Sequence, residues 1–288
     1  MMKGSIVALV TPFNEDNEVD YKTIEKLCQF HLENNTDGLL LLGTTAEAEA
    51  LTNDEKVKIV DLIYKTVYPK IKIMVGIISN ITEHVVEMSK LFENYDIDSF
   101  LVINPYYNKS NESGLLKHFT YIADNVSKPI ILYNVPKRTG MSIPFEVVKA
   151  LSHHNNIIGI KDASGDLSLQ YKIGRLGNGF MYYCGDDNLL IPSIALGASG
   201  VISVIGNAFP NEIKLICKSF NKNSEIANFT YNKLYDLIEV MYNEVSPIGI
   251  KYIMSLQGSI YLSYRRPLDY PSRNLKRLIE EKLLEIIE

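Results

Sequence analysis

Eight short apolar runs, each followed by a stretch of helical periodicity, constrain this chain more than any other feature. They lie near Ser5–Val10, Gly38–Leu42, Lys72–Ile77, Ser99–Ile103, Ile130–Tyr133, Ile157–Lys161, Met181–Cys184 and Val201–Val204. Short apolar runs bounded by turn formers read as strands buried on both faces, as in a parallel sheet. Their spacing of roughly 20 to 35 residues is that of a strand–helix unit. Between them lie amphipathic stretches such as Tyr21–Glu33, Asp54–Tyr68 and Glu83–Tyr95. In the second, Val57, Val60, Ile63, Tyr64 and Val67 follow helical spacing, and Thr52 with Glu55 forms a capping-box signature at its start. Strands alternating with helices imply right-handed crossovers and a parallel sheet. Eight such units predict a closed (β/α)8 TIM barrel. Pro210–Phe220, Glu225–Tyr242 and Pro247–Leu256 then read as helices, and only the first is needed to complete the barrel. The expected division is a catalytic barrel over 1–221 and a small helical C-terminal appendage over 222–288, which 288 residues accommodate.

Composition narrows the function. A net charge of −5 supplies no basic stripe to neutralise phosphates, which argues against a nucleic-acid binder. The start Met1-Met2-Lys3-Gly4-Ser5 lacks the apolar run of a signal peptide, and no stretch of ~18 apolar residues could span a membrane. These features predict a cytoplasmic protein. Cys28, Cys184 and Cys217 are odd in number and far apart, fitting neither a disulfide framework nor a zinc site. Cys28 and Cys184 read as small core residues. His153 and His154 precede the sixth strand and so belong to its amino-terminal face. His31, His84 and His118 stand alone in helical segments, so no metal site is expected. Gly174, Gly177 and Gly179 have the wrong spacing for a dinucleotide loop and read as a turn.

The chemistry points to Lys161. It ends the run Ile157-Ile158-Gly159-Ile160 and precedes Asp162-Ala163-Ser164-Gly165-Asp166, so it sits where the sixth strand leaves the core. That is the carboxyl end of the sheet, where such barrels carry their chemistry. Desolvation there disfavours an ammonium and can free an amine to attack a carbonyl as a Schiff base. Taken singly, the feature also fits a lysine snorkelling to solvent. Neighbouring strand ends add partners. Gly43-Thr44-Thr45-Ala46-Glu47 offers hydroxyls and turn amides that could cradle a carboxylate. Asn104-Pro105-Tyr106-Tyr107 and Tyr133-Asn134-Val135-Pro136-Lys137-Arg138-Thr139-Gly140 bring phenols for proton transfer and a guanidinium fork for a second carboxylate.

Those motifs, with Gly159-Ile160-Lys161-Asp162-Ala163, resemble the dihydrodipicolinate synthase family of pyruvate-dependent class I aldolases, also called 4-hydroxy-tetrahydrodipicolinate synthases. The resemblance extends from Gly4-Ser5-Ile6-Val7-Ala8-Leu9-Val10-Thr11-Pro12-Phe13 to Arg266-Pro267-Leu268. It implies a cofactor-free lyase that condenses pyruvate with L-aspartate 4-semialdehyde in lysine and diaminopimelate biosynthesis. It assigns the imine to Lys161 and proton shuttling to Tyr133, relayed through Thr45 to Tyr107 of a neighbouring subunit. Thr44 and Thr45 would hold the pyruvate carboxylate, Arg138 that of the semialdehyde, and Gly185 and Ile202 would line the pocket. The implied assembly is a homotetramer built as a dimer of dimers, with at least the tight dimer.

The chain departs from the family at two places. Ala46 stands where glycine is usual and Ala48 where serine or threonine is common; glycine would ease close backbone approach to a ligand, and alanine is tolerated at the first place if its φ is negative. At the interface where lysine-regulated members bind L-lysine, this chain keeps Asn80 and Tyr106. It has Ala48, Glu49, Asn53, Lys56 and His84 at the other positions, which implies weak sensitivity to lysine. The alternatives are an N-acetylneuraminate lyase, a keto-deoxy sugar-acid aldolase, or a non-catalytic barrel scaffold. Arg138 with Thr139-Gly140 favours the synthase over the first two. A scaffold would be expected to have lost Lys161 or Tyr133.

Overall fold

In a computed structural model of the chain, residues 2–177 and 179–287 are described. Eight parallel strands close into a barrel in sequence order, β1 pairing with both β2 and β8. They are β1 (Gly4–Ala8), β2 (Gly38–Leu41), β3 (Lys72–Ile77), β4 (Ser99–Ile103), β5 (Ile130–Asn134), β6 (Ile157–Asp162), β7 (Met181–Cys184) and β8 (Gly200–Ser203). Three match the sequence reading to the residue, and the others differ by one or two positions at one or both ends.

The strands read as continuous apolar runs because both of their faces are buried in different cores. Ile6, Leu40, Met74, Leu101, Ile131 and Tyr183 fill the barrel interior. Their alternating neighbours Val7, Leu39, Leu41, Val75, Leu132 and Tyr182 pack outward under the helices. This is the period-two alternation of a strand with apolar residues on both sides. The Tyr183 hydroxyl donates to the Met2 carbonyl at 2.7 Å, closing the barrel floor.

The outer layer is α1 (Tyr21–Glu33), α2 (Asn53–Val67), α3 (Thr82–Lys90), α4 (Glu112–Asn125), α5 (Pro136–Thr139), α6 (Phe145–Leu151), α7 (Leu167–Gly174), α8 (Leu190–Ala195) and α9 (Pro210–Ser219). Starts are fixed by side chains that take up orphan amides. Asp20 caps α1, Asn111 caps α4 and Asp166 caps α7. Thr52 and Glu55 form the anticipated capping box on α2. The third helix stops at Lys90 rather than Tyr95. Beyond it Leu91, Phe92 and Tyr95 bond three residues back, a tighter winding that ends the α geometry while burying Phe92.

After the barrel come α10 (Ser224–Met241), α11 (Ile248–Leu256) and α12 (Arg273–Ile287). The last was not singled out from sequence. Residues Ile248 to Met254 of α11 are all buried, a helix enclosed on every side. Cys28 and Cys184 are buried in the core as expected. No helix among the described residues is long and apolar enough to cross a membrane.

Candidate active site

The register of β5 and β6 sets the centre of the site. Tyr133 and Lys161 are direct neighbours across this parallel pair, so their side chains point the same way, toward the mouth of the barrel. Lys161 is only 5% exposed, and its Nζ lies 4.6 Å from the centre of the Tyr133 ring. The electron-rich ring face therefore meets the amine.

The next pair along, Asn134 and Asp162, faces the helices and locks the strand ends from outside. Asn134 Nδ2 donates to Asp162 Oδ1 at 2.6 Å. Ser164 Oγ and Gln170 Nε2 donate to Asp162 Oδ2 at 2.7 and 3.1 Å. Burial pushes the Asp162 carboxyl up, and these donors hold it back. Asn134 Oδ1 also accepts from the Ile143 amide at 2.9 Å. Lys161 and Tyr133 thus stand on strand ends fastened by a buried polar network.

Lys161 opens into a cavity of about 330 Å³, lined among others by Thr44, Thr45, Tyr133, Arg138, Ala163 and Gly185. Gly185 is a close approach. A Cβ there would lie 3.0 Å from Lys161 Cε and 2.8 Å from Ala163 Cβ. Thr44–Ala46 is a single 3-10 turn. It spends the amides of Ala46 and Glu47 on the carbonyls of Gly43 and Thr44, leaving those of Thr44 and Thr45 outside its own bonding. Ala46 keeps a negative φ, and the left-handed residue is its neighbour Glu47, at φ +54. Arg138 lies on α5, a one-turn helix that starts with Pro136 at a preset φ and stops at Gly140 with φ +70. Its guanidinium donates to the Ser246 carbonyl at 2.8 Å.

This geometry can be set beside known proteins. The model of the dihydrodipicolinate synthetase family matches residues 1–286. The chain belongs to that family. A 4-hydroxy-tetrahydrodipicolinate synthase of Alkaliphilus oremlandii is 40% identical over 284 residues, covering 98% of each chain. The solved synthase of the methanotroph Methylacidiphilum fumariolicum superposes with a TM-score of 0.96 at 31% identity, over 100% of this chain and 96% of that one. A chloride-inhibited dihydrodipicolinate synthase of Acinetobacter baumannii, solved with pyruvate, gives 0.96 at 34% identity, over 99% of both chains.

Of the residues singled out from sequence, Lys161, Tyr133, Thr44, Thr45, Arg138 and Gly185 share the one cavity. Two do not line it. Ile202 is fully buried in the barrel interior with Tyr133 and Ala163, and Val204, two residues on, forms that part of the cavity wall. Tyr107 is 94% exposed at φ +67, turned out from its own chain.

Three features of this family member escaped the sequence reading. Asp186 lines the cavity with Oδ2 buried and unbonded among the described residues. Burial pushes its carboxyl up, while Lys137 and Lys161 draw it back. The adjacent Asp187 accepts from the amides of Val204 and Ile205 and from the Tyr242 hydroxyl. The connection between α10 and α11, Tyr242 to Ser246, forms one wall of the cavity. The pair Asp186-Asp187, separated from the end of a strand by Gly185 alone, was the available signal for the first two. Nothing local announced the third.

Proposed function

We propose that this protein condenses pyruvate with L-aspartate 4-semialdehyde to 4-hydroxy-tetrahydrodipicolinate through an imine on Lys161. The observation that carries the reading is the buried Lys161 amine over the Tyr133 ring, opening into a cavity that Thr44, Thr45 and Arg138 also line. Attack of the amine on the keto carbon and loss of water give an imine. Its protonated form is an electron sink, so a methyl proton becomes removable without a metal or cofactor. Tyr133 accepts that proton, passed through Thr45 to Tyr107 of a neighbouring chain. The resulting enamine attacks the aldehyde carbon, and the aldehyde oxygen takes a proton to become the hydroxyl. The amino group of the added half then displaces Lys161 from the imine carbon, closing the ring and freeing the lysine. The Thr44-Thr45 turn holds the pyruvate carboxylate, and Arg138 holds that of the semialdehyde.

The exposure of Tyr107 supports an assembly in which one subunit completes the cavity of the next, as a tight dimer within a dimer of dimers. The decisive experiment is borohydride reduction with pyruvate. It should leave one reduced pyruvyl group per chain on the peptide carrying Lys161, and none in Lys161→Ala. Offered aspartate semialdehyde, N-acetylmannosamine and glyceraldehyde side by side, the protein should consume pyruvate with the first. Label on another lysine, or preference for a sugar, would overturn the reading.

A further inference from the structure

We propose that Glu47 and Lys251, which the reaction does not consume, are positioning residues that fix the carboxylate cradle at Thr44-Thr45. The inference rests on the function proposed above and deepens it. Glu47 is the hinge between two 3-10 turns, Thr44–Ala46 and Ala48–Ala50, and its left-handed backbone at φ 54, ψ 36 sets the direction of the cradle. The left-handed region crowds Cβ against the carbonyl oxygen, so a residue with a side chain occupies it at a cost. The Glu47 side chain is fastened at both carboxylate oxygens. Its Oε1 takes the Lys251 ammonium, and its Oε2 takes the Arg265 amide at 2.9 Å. Lys251 comes from α11, 204 residues away in sequence, and is fully buried. Its Nζ also donates to the Ser263 carbonyl at 3.0 Å and stands 4.3 Å from the centre of the Phe13 ring.

A contribution to bulk stability does not account for this pair. Taking two charges out of water offsets most of their attraction, and buried pairs can often be exchanged for apolar ones without loss. An apolar pair would fill the space but would not dictate the angle at which Glu47 leaves its turn. Two directional bonds on one carboxylate do. The same C-terminal segment holds Arg138 through the Ser246 carbonyl, one residue before Pro247 caps α11. The base of α11 is therefore a common reference for both anion-binding features, and Lys251 is its link to the pyruvate half.

The test is the double variant Glu47→Gln/Lys251→Met, which leaves no uncompensated buried charge. Its thermal midpoint should stay near that of the unaltered protein. The pyruvate concentration for half-maximal borohydride trapping should rise about tenfold, the mark of lost uniform binding of the carboxylate. Turnover at saturating pyruvate and the KM for the semialdehyde should stay within about threefold, because lost uniform binding raises one substrate constant and leaves kcat in place. A folded double variant with unchanged half-saturation would overturn the proposal. So would lower turnover with both substrate constants intact, the mark of a merely structural role. Should the double variant not fold, Glu47→Asp keeps the charge but cannot span both partners, and the same rise or its absence decides. If the unaltered chain traps no pyruvate, the proposed function fails instead, so the two failures are distinguishable.

Discussion

Adding one methyl group at Gly185 tests whether the reach of Lys161 is set by its neighbours. Gly185 does not occupy the left-handed region, so alanine meets no backbone objection there. The obstacle is space. The new Cβ would lie 2.8 Å from Ala163 Cβ, 3.0 Å from the Asp162 carbonyl oxygen and 3.0 Å from Lys161 Cε. Comfortable contact is about 3.5–4.0 Å, so something must move by roughly 0.5–1 Å. Ala163 and the Asp162 carbonyl are anchored, because that carbonyl accepts the Gly185 amide at 2.8 Å and the Ala163 amide bonds Asn134. The lysine side chain is the part that can yield, and yielding takes Nζ off the Tyr133 ring. Overpacking of this kind costs about 1–3 kcal/mol of stability. A displacement near 1 Å at a reacting atom costs about 100-fold in rate. Gly185→Ala should therefore trap pyruvate about 100-fold more slowly at saturation while still unfolding cooperatively in urea. Gly165→Ala is the control. At φ +76 with no atom within 4 Å of an added Cβ, it carries backbone strain alone and should trap at the normal rate. Normal trapping by Gly185→Ala, or equal slowing in both variants, would refute the reasoning.

Arg138 is exposed, so Arg138→Ala should leave stability unchanged. It should lower kcat/KM for the semialdehyde by about 30- to 1000-fold, the loss of a charge-assisted fork worth ~2–4 kcal/mol, with trapping of pyruvate intact. Equal loss in both half-reactions would make Arg138 structural. If Tyr107 acts across subunits, mixing Tyr107→Phe with Lys161→Ala after dissociation should restore part of the activity. Mixtures as inactive as their components would place Tyr107 outside the proton relay. L-lysine should inhibit weakly, because buried Lys56 already sets an ammonium beside Glu49. Half-inhibition below about a millimolar, a ligand bound by roughly 4 kcal/mol, would show that this altered pocket still recognises it.

The barrel was legible because its strands are buried on both faces and so carry no polar interruption until they end. For the same reason the ends marked the site. Lys161 and Thr44 follow the last residues of such runs, and Tyr133 lies one step inside its own. What the sequence hid were relations of register and distance. That Tyr133 and Lys161 are cross-strand neighbours depends on the irregularity in β5–β6 pairing between Ile130 and Ile131, which no composition announces. Ile202 was named through the resemblance alone; in the fold it packs in the barrel interior against the group that holds Tyr133 and Ala163, and Val204 lines the cavity.

The C-terminal helices look like an addition to a finished barrel when read in sequence, since a barrel closes without them. In three dimensions they supply one wall of the cavity and the partners of Glu47 and Arg138. A barrel mouth is built from loops, and loops alone hold side chains less firmly than strands and helices do. A buried helix laid against two of those loops gives each a rigid reference. The long-range pairs Glu47–Lys251 and Arg138–Ser246 are the bonds through which it does so. On this argument the lysine could be read from sequence because it stands on the barrel itself. The two proposed carboxylate holders could be named but not positioned, because the partners of Arg138 and Glu47 lie more than a hundred residues away.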